Sequence, residues 1–91
     1  MPRFVIERDV PGAGHLSTVE LRAISKQSVG VVEAIGHGLT WVQTFVTDDK
    51  MYCVYDAPSV ELIHEHARCM GIPANFVAEV RVVIDPKTAD G

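Results

Sequence analysis

The chain of 91 residues has no cluster of lysine and arginine, no long apolar run and only two cysteines. Its eight basic residues are scattered and the formal net charge is −4. No surface is therefore predicted that would neutralise the phosphates of a nucleic acid or of an anionic membrane. Cys53 and Cys69 lie far apart and form no C-x-x-C pair, so a zinc-finger pattern is excluded.

Targeting signals are also missing. The first residues, MPRFVIERDV, contain no long apolar segment and no A-x-A cleavage pattern, so no signal peptide is predicted. No apolar run approaches the ~18 residues that are needed to span a bilayer. We therefore expect a cytoplasmic protein, in a compartment where thiols stay reduced.

A chain of this length forms one domain, which we assign to residues 1–86. Residues 87–91 have no apolar periodicity and are assigned to a C-terminal tail. The hydrophobic fraction is 47% and the mean hydropathy is +0.15, more than one small core is expected to hide. Domains of this size are often helped by oligomerisation.

The order of sequence patterns predicts a β-α-β-β-α-β chain. The first helix begins at Ser17, which forms a capping box with Glu20, and it ends at Gly36. The second helix covers residues 59–70 and ends before Gly71. Four segments are typical of strands, RFVIERDV, LTWVQTFVT, MYCVYDA and NFVAEVRVVID. This order defines an α+β, ferredoxin-like fold, in which two helices cover one face of a four-stranded antiparallel sheet.

The strands are apolar on both faces. In the first strand Phe4 and Ile6 share one face, while Val5 and Glu7 share the other. A sheet with one face in water would alternate apolar and polar residues. We therefore predict a homodimer of the dimeric α+β barrel type, in which the face that carries Val5, Glu7 and Val83 packs against the partner's sheet.

Several residues of the sheet are candidates for a pocket or an interface. Glu7 and Arg81 are expected to face each other across the first and last strands and to form an ion pair, because buried charges need partners. Trp41 and Gln43 would add aromatic and polar lining to a cleft between two packed sheets, if their strand is turned that way. Trp41 is expected to share its face with Phe45. Tyr55 is expected to pack rather than to react.

The second helix contains LIHEHARCMG, a stretch rich in metal-binding side chains. His64 and His66 are two residues apart and diverge by about 200°, so they cannot bind the same ion. The H-E-x-x-H spacing of zinc proteases is absent. His66 lies beside the apolar face, where a histidine is either a hydrogen-bonded core residue or a metal ligand. Cys69 and Met70 are then either its nearest soft ligands or ordinary packing residues.

The stretches MPRFVIERDVPG, WVQTFVTDDKMYCVYDAP and EHARCMGIPANFVAEVRVVIDP resemble a family of small bacterial ferredoxin-like proteins. That family is of largely unknown function and includes nickel-binding members. The resemblance implies a dimeric α+β domain, with nickel or another divalent transition metal as cofactor. Its nickel-binding members carry one histidine at the end of the first strand and two, four residues apart, on the second helix. Here Arg8 occupies the first position, His66 matches the second and Met70 falls on the third.

Two functions remain open. The first and favoured one is a metal-binding module that uses His66 with Cys69 or Met70. The second is a dimeric α+β barrel domain that binds a small organic molecule, or oxidises it without a cofactor, which is a fold-level analogy. No nucleophile-elbow or phosphate-binding pattern is present, so no catalytic residue is predicted and binding is favoured over catalysis.

Overall fold

The computed structural model describes residues 1–91 and contains the predicted β-α-β-β-α-β order. The strands are β1 (Arg3–Asp9), β2 (Thr40–Val46), β3 (Lys50–Asp56) and β4 (Phe76–Glu79). The helices are α1 (Thr18–Ile35) and α2 (Val60–Met70), and two short 3₁₀ helices cover Ala13–His15 and Pro86–Asp90. None of the helices is long and apolar enough to cross a membrane.

All four strands pair antiparallel in the order β2-β3-β1-β4, which confirms the predicted sheet. The strand β1 lies inside the sheet, between β3 and β4. Its side chains alternate as expected for period two, so Phe4, Ile6 and Arg8 are buried while Val5 and Glu7 are partly exposed. The core is a cluster of nine side chains, Phe4, Ile6, Ala13, Leu39, Met51, Cys53, Tyr55, Ala57 and Ile63.

Both helices begin and end at the predicted signals. The Ser17 hydroxyl accepts a bond from the Glu20 N–H at 3.1 Å, and the Ser17 N–H donates to the Glu20 carboxylate at 2.9 Å. These bonds lower the pKa of Glu20 and complete the predicted capping box. Gly71 ends α2 at φ +70°, a left-handed conformation that glycine adopts without steric cost.

The last strand is shorter than the predicted segment of residues 75–85. The strand β4 ends at Glu79, and the Val80 N–H makes a last bond of 2.7 Å to the Arg3 carbonyl. Because β1 begins at Arg3, the residues that follow have no strand beside them on this chain. Val82, Val83 and Ile84 are consequently exposed, so the expected alternation of apolar faces does not extend to them.

The expected shared face of Trp41 and Phe45 was also wrong. The pairing of β2 with β3 shifts between Trp41 and Gln43, as a β-bulge does when it adds one residue to a strand. Trp41 therefore lies opposite Tyr55 on the helix-covered face, while Phe45 lies opposite Tyr52 on the other face. The bulge turns Trp41 toward the interior.

Candidate functional site

A cavity of about 280 Å³ lies between the two helices and the sheet. Nine of its thirteen lining residues are hydrophobic. The lining comes from β1, β2, β3, α1 and the end of α2, and consists of Arg8, Leu21, Ile24, Ser25, Ser28, Trp41, Thr44, Val46, Met51, Cys53, Tyr55, Met70 and Ile72. The cavity is thus an apolar space with a few polar groups.

Arg8 is the charged residue of this lining, and its side chain is fully buried at 0% exposure. The alternation of β1 that buries Phe4 and Ile6 also turns Arg8 inward. Its Nη1 donates to the Pro73 carbonyl at 2.9 Å and its Nε donates to Cys53 Sγ at 3.4 Å, whereas its Nη2 has no partner. Arg8 belongs to none of the four ion pairs of the structure.

His66 is buried beside Arg8, with 1% of its surface exposed. Its Nε2 lies 3.2 Å from the Ser28 hydroxyl and 3.4 Å from the Tyr55 hydroxyl. Its ring is tilted against that of Tyr55 with centroids 4.8 Å apart, and its Nδ1 has no partner. Burial, and then the charge of Arg8, lower the pKa of His66 from 6.5 to about 4. The imidazole is therefore neutral at pH 7.

Tyr55 completes a cluster of buried polar side chains that also contains Arg8, Ser28, Cys53 and His66. Its ring is buried and its hydroxyl lies 3.4 Å from that of Ser28. Burial is the largest influence on the Tyr55 hydroxyl and raises its pKa above 10. The phenol is consequently protonated at pH 7, and neither Tyr55 nor His66 supplies a negative charge to Arg8.

The predicted site residues divide between this cluster and the surface. Arg8, Trp41, Tyr55 and Met70 line the cavity, and His66 joins it through Ser28 and Tyr55. Cys69 is exposed on α2, and Glu7 and Gln43 lie on the sheet face away from the helices. His64 is exposed while His66 is buried, which confirms the divergence of the two histidines expected from helical geometry.

The expected ion pair between Glu7 and Arg81 is not formed. Glu7 Oε1 lies 3.6 Å from Lys50 Nζ, and Arg81 Nη1 lies 3.7 Å from Glu79 Oε2 with its side chain 85% exposed. The prediction assumed that β4 continues past Glu79. Because it does not, Arg81 has no register partner and Phe76 stands opposite Glu7.

Two members of the cluster were not predicted as site residues. Ser28 is the one buried residue of α1, and Cys53 is buried between Met51 and Tyr55 on the inner row of β3. A small polar residue inside the apolar stripe of a helix is a usable signal for Ser28. Cys53 offered none, because a buried cysteine usually behaves as a small hydrophobe.

The residues of one chain do not fit a nickel centre. Nickel prefers imidazole and other strong donors, and no three His, Cys, Asp or Glu side chains come together here. Nδ1 of His66 is a free imidazole nitrogen, but the buried guanidinium of Arg8 lies against Cys53 and would repel a dication. Cys69 is at the surface and Met70 borders the cavity, so the predicted ligands do not share one environment.

The fold and this site define a small ferredoxin-like α+β protein with a polar cluster under its helices. The crystal structure of SCO4226 from Streptomyces coelicolor A3(2) is similar to it, with a TM-score of 0.75 and 16% sequence identity. The similarity covers 90% of this chain and 99% of that one, and at this identity it supports the fold. Residues 4–80 match the family described as nickel responsive protein SCO4226-like, and the chain belongs to that family. No curated protein matches the chain.

Proposed function

We propose that the protein binds a small organic molecule in the cavity between its helices and its sheet. The observation that carries this proposal is the cavity itself, about 280 Å³ of mostly apolar lining with a few polar groups. Small-molecule sites have this composition, because apolar walls supply affinity and a few polar atoms fix orientation. The interior of a small domain is otherwise close-packed, so a partly open space of this size between the helices and the sheet favours an occupant.

The test is an NMR titration with three probes of similar shape and different charge, benzoate, benzamide and benzylamine. We expect at least one of them to shift the resonances of cavity residues, including the Trp41 indole. Ile24→Trp places a large ring in the cavity and should abolish these shifts. Val19→Trp is the matched control, because Val19 is on the same helix and exposed. If none of the probes shifts cavity resonances in the wild-type protein, the proposal is wrong.

The same proposal includes a homodimer formed through the outer face of the sheet. Phe45 and Phe76 are 55% and 62% exposed there, and Phe76 borders a shallow groove with Val5, Tyr52 and Ala78. Monomeric proteins seldom leave such apolar patches in water. A second copy is the proposed occupant, because the chain also carries an apolar segment that its own sheet does not use.

That segment is residues 80–85, which follow β4 and carry the exposed side chains of Val82, Val83 and Ile84. The radius of gyration is 14.0 Å, against about 12 Å for a compact chain of this length, as expected when a segment projects from the body. In the proposed dimer it lies against the outer face of the partner's sheet. Sedimentation of the wild-type protein should give a dimer, and Val82→Ser with Ile84→Ser should give a monomer. Val19→Ser is the control, and a wild-type monomer at micromolar concentration contradicts the proposal.

Metal binding is a second candidate, supported by the family description and by the free Nδ1 of His66. Because one chain gathers no group of three ligands, donors from a second copy would have to complete the site. The candidate residues remain His66, Cys69 and Met70. We place the protein in the cytoplasm, where the two free cysteines would stay reduced.

Calorimetric titration of nickel and zinc distinguishes this candidate from adventitious binding. If His66 is a ligand, His66→Ala should abolish binding, while His64→Ala on the exposed side of α2 should leave it nearly unchanged. Equal binding by the wild-type protein and His66→Ala would exclude His66 as a ligand. The protein should be purified without a histidine tag, so that its metal content can be measured directly.

A further inference from the structure

We infer that the cavity binds a small monocarboxylate with an apolar body, whose carboxylate group pairs with Arg8. This inference rests on the proposed binding function and names the chemical class of the ligand. The observation that supports it is the buried charge of Arg8, for which the chain supplies no counter-ion.

Arg8 is a permanent cation, because the guanidinium group does not lose its proton in proteins. Its two bonds go to neutral acceptors, a backbone carbonyl and a sulfur. Removing a charge from water costs several kcal/mol unless an opposite charge and further hydrogen bonds compensate. No carboxylate of the chain provides that compensation, and the neighbouring His66 and Tyr55 are neutral at pH 7.

The guanidinium also keeps unused donors. Of its five N–H groups, one points to Cys53 and one to Pro73, and Nη2 has no hydrogen-bond partner. A carboxylate matches adjacent N–H groups of a guanidinium in a two-point contact, which is among the strongest charge-assisted hydrogen bonds in proteins. A ligand that brings one negative charge would therefore balance the charge and satisfy the donors together.

The rest of the lining selects an apolar body of limited size. Its hydrophobic side chains include Leu21, Ile24, Trp41, Val46, Met51, Met70 and Ile72. An apolar cavity on the order of 150 Å³ is enough to hold benzene, so about 280 Å³ accommodates a ring or a short chain together with a carboxylate. A small inorganic anion would pair with Arg8 but would not contact this apolar lining.

Calorimetry with benzoate and its neutral analogue benzamide tests the inference. We expect the wild-type protein to bind benzoate at least tenfold more tightly than benzamide, and benzoate more tightly than formate or phosphate. In Arg8→Met the preference for benzoate should disappear, while benzamide binding should stay within a few-fold of wild type. Arg3→Met is the matched control, because Arg3 is on the same strand and pairs with Asp56, and it should retain the preference.

The outcomes separate the inference from the function on which it rests. Benzamide bound as tightly as benzoate, or benzoate bound equally by Arg8→Met, overturns the carboxylate assignment but keeps the binding cavity. Phosphate bound as tightly as benzoate overturns the role of the apolar body. Absence of binding by every probe overturns both proposals. Arg8→Lys preserves the charge and should keep part of the preference for benzoate. It therefore distinguishes the loss of the charge from a folding defect in Arg8→Met.

Discussion

Strand β1 carries two arginines in opposite situations. Arg3, near its start, has a side chain that is 44% exposed, and it donates from Nε and Nη2 to both carboxylate oxygens of Asp56 at 2.7 and 3.0 Å. Arg8, five residues later, is fully buried and contacts no carboxylate. The exposed cation has a counter-ion on the chain, and the buried cation has none.

Sheet register explains the difference. Asp56 stands opposite Arg3 on β3, whereas Met51 stands opposite Arg8. The chain thus provides an anion where the charge is at the surface, and a methionine where the charge faces the cavity. A buried charge without a partner lowers stability, and this cost is the basis of our inference that a ligand supplies the partner.

The largest expected effect is on the pH dependence of the free energy of unfolding. It comes from His66, which lies in the cluster beside Arg8. Burial and the Arg8 charge hold the pKa of His66 at about 4, and in the unfolded chain it returns to about 6.5. The unfolded state therefore takes up a proton first as pH falls. The contribution of His66 is fully present above pH 6.5 and is lost between pH 6.5 and 4, a decrease of about 3 kcal/mol in the free energy of unfolding.

Urea unfolding across this pH range measures the effect. His66→Gln should remove most of the slope, and the exposed His64→Gln should retain it. Arg8→Met should raise the pKa of His66 part of the way back, since burial remains, whereas Arg3→Met should not change it. An unchanged slope in His66→Gln would show that other groups cause the pH dependence.

The second effect concerns Arg8 itself in the absence of ligand. Burying a charge costs several kcal/mol when no opposite charge compensates it, so an apolar side chain of similar volume is expected to be more stable in its place. We expect Arg8→Met to raise the free energy of unfolding by about 1–2 kcal/mol, less than that cost because the Pro73 carbonyl loses its donor. A marked loss of stability in urea unfolding would show that Arg8 is structural, and the contrast with Arg3 would fail.

A smaller effect is expected at Tyr55. Its hydroxyl lies 3.4 Å from both Ser28 and His66, which are long contacts. Removing it in Tyr55→Phe should lower the free energy of unfolding by about 0.5–1 kcal/mol. Tyr52→Phe is the control, because Tyr52 is on the outer face of the same strand and should show less change. A larger loss for Tyr52 would indicate that the outer face contributes more than the cluster.

The smallest effect is expected for Arg3→Met. Its ion pair with Asp56 is exposed, and exposed pairs contribute little because water and salt screen them. The urea midpoint should move only slightly, and the difference from wild type should shrink as sodium chloride is added. A clear, salt-independent loss would mean that the Arg3–Asp56 pair is structural in a way that its exposure does not suggest.

Local patterns in the sequence predicted most of the fold. The Ser17–Glu20 capping box and the divergence of His64 and His66 depend on neighbouring residues only, and both were confirmed. The face of Trp41 and the length of β4 depend on a bulge and on where a neighbouring strand ends, which single-strand periodicity does not contain. These two features account for the wrong face predicted for Trp41 and for the missing pair of Glu7 with Arg81.

The candidate site was only partly predictable. The alternation that buries Phe4 and Ile6 also places Arg8 inward, so that signal was present in the sequence. The sequence did not show that Arg8 has no counter-ion, because this depends on Met51 being its partner in the sheet register. The sequence marked His66 as either a metal ligand or a hydrogen-bonded core residue, and the structure gathers Ser28, Tyr55 and Arg8 around it.

The most direct test of the account is an NMR titration that observes the guanidinium resonances of both arginines in one sample as benzoate is added. We predict that the Arg8 Nη signals move saturably and report the same dissociation constant as calorimetry, because the carboxylate accepts from the donors that the chain leaves free. The Arg3 signals should stay fixed, since Asp56 already occupies that guanidinium. Benzoate binding that leaves the Arg8 signals unmoved, or that moves Arg3 and Arg8 alike, would contradict the account.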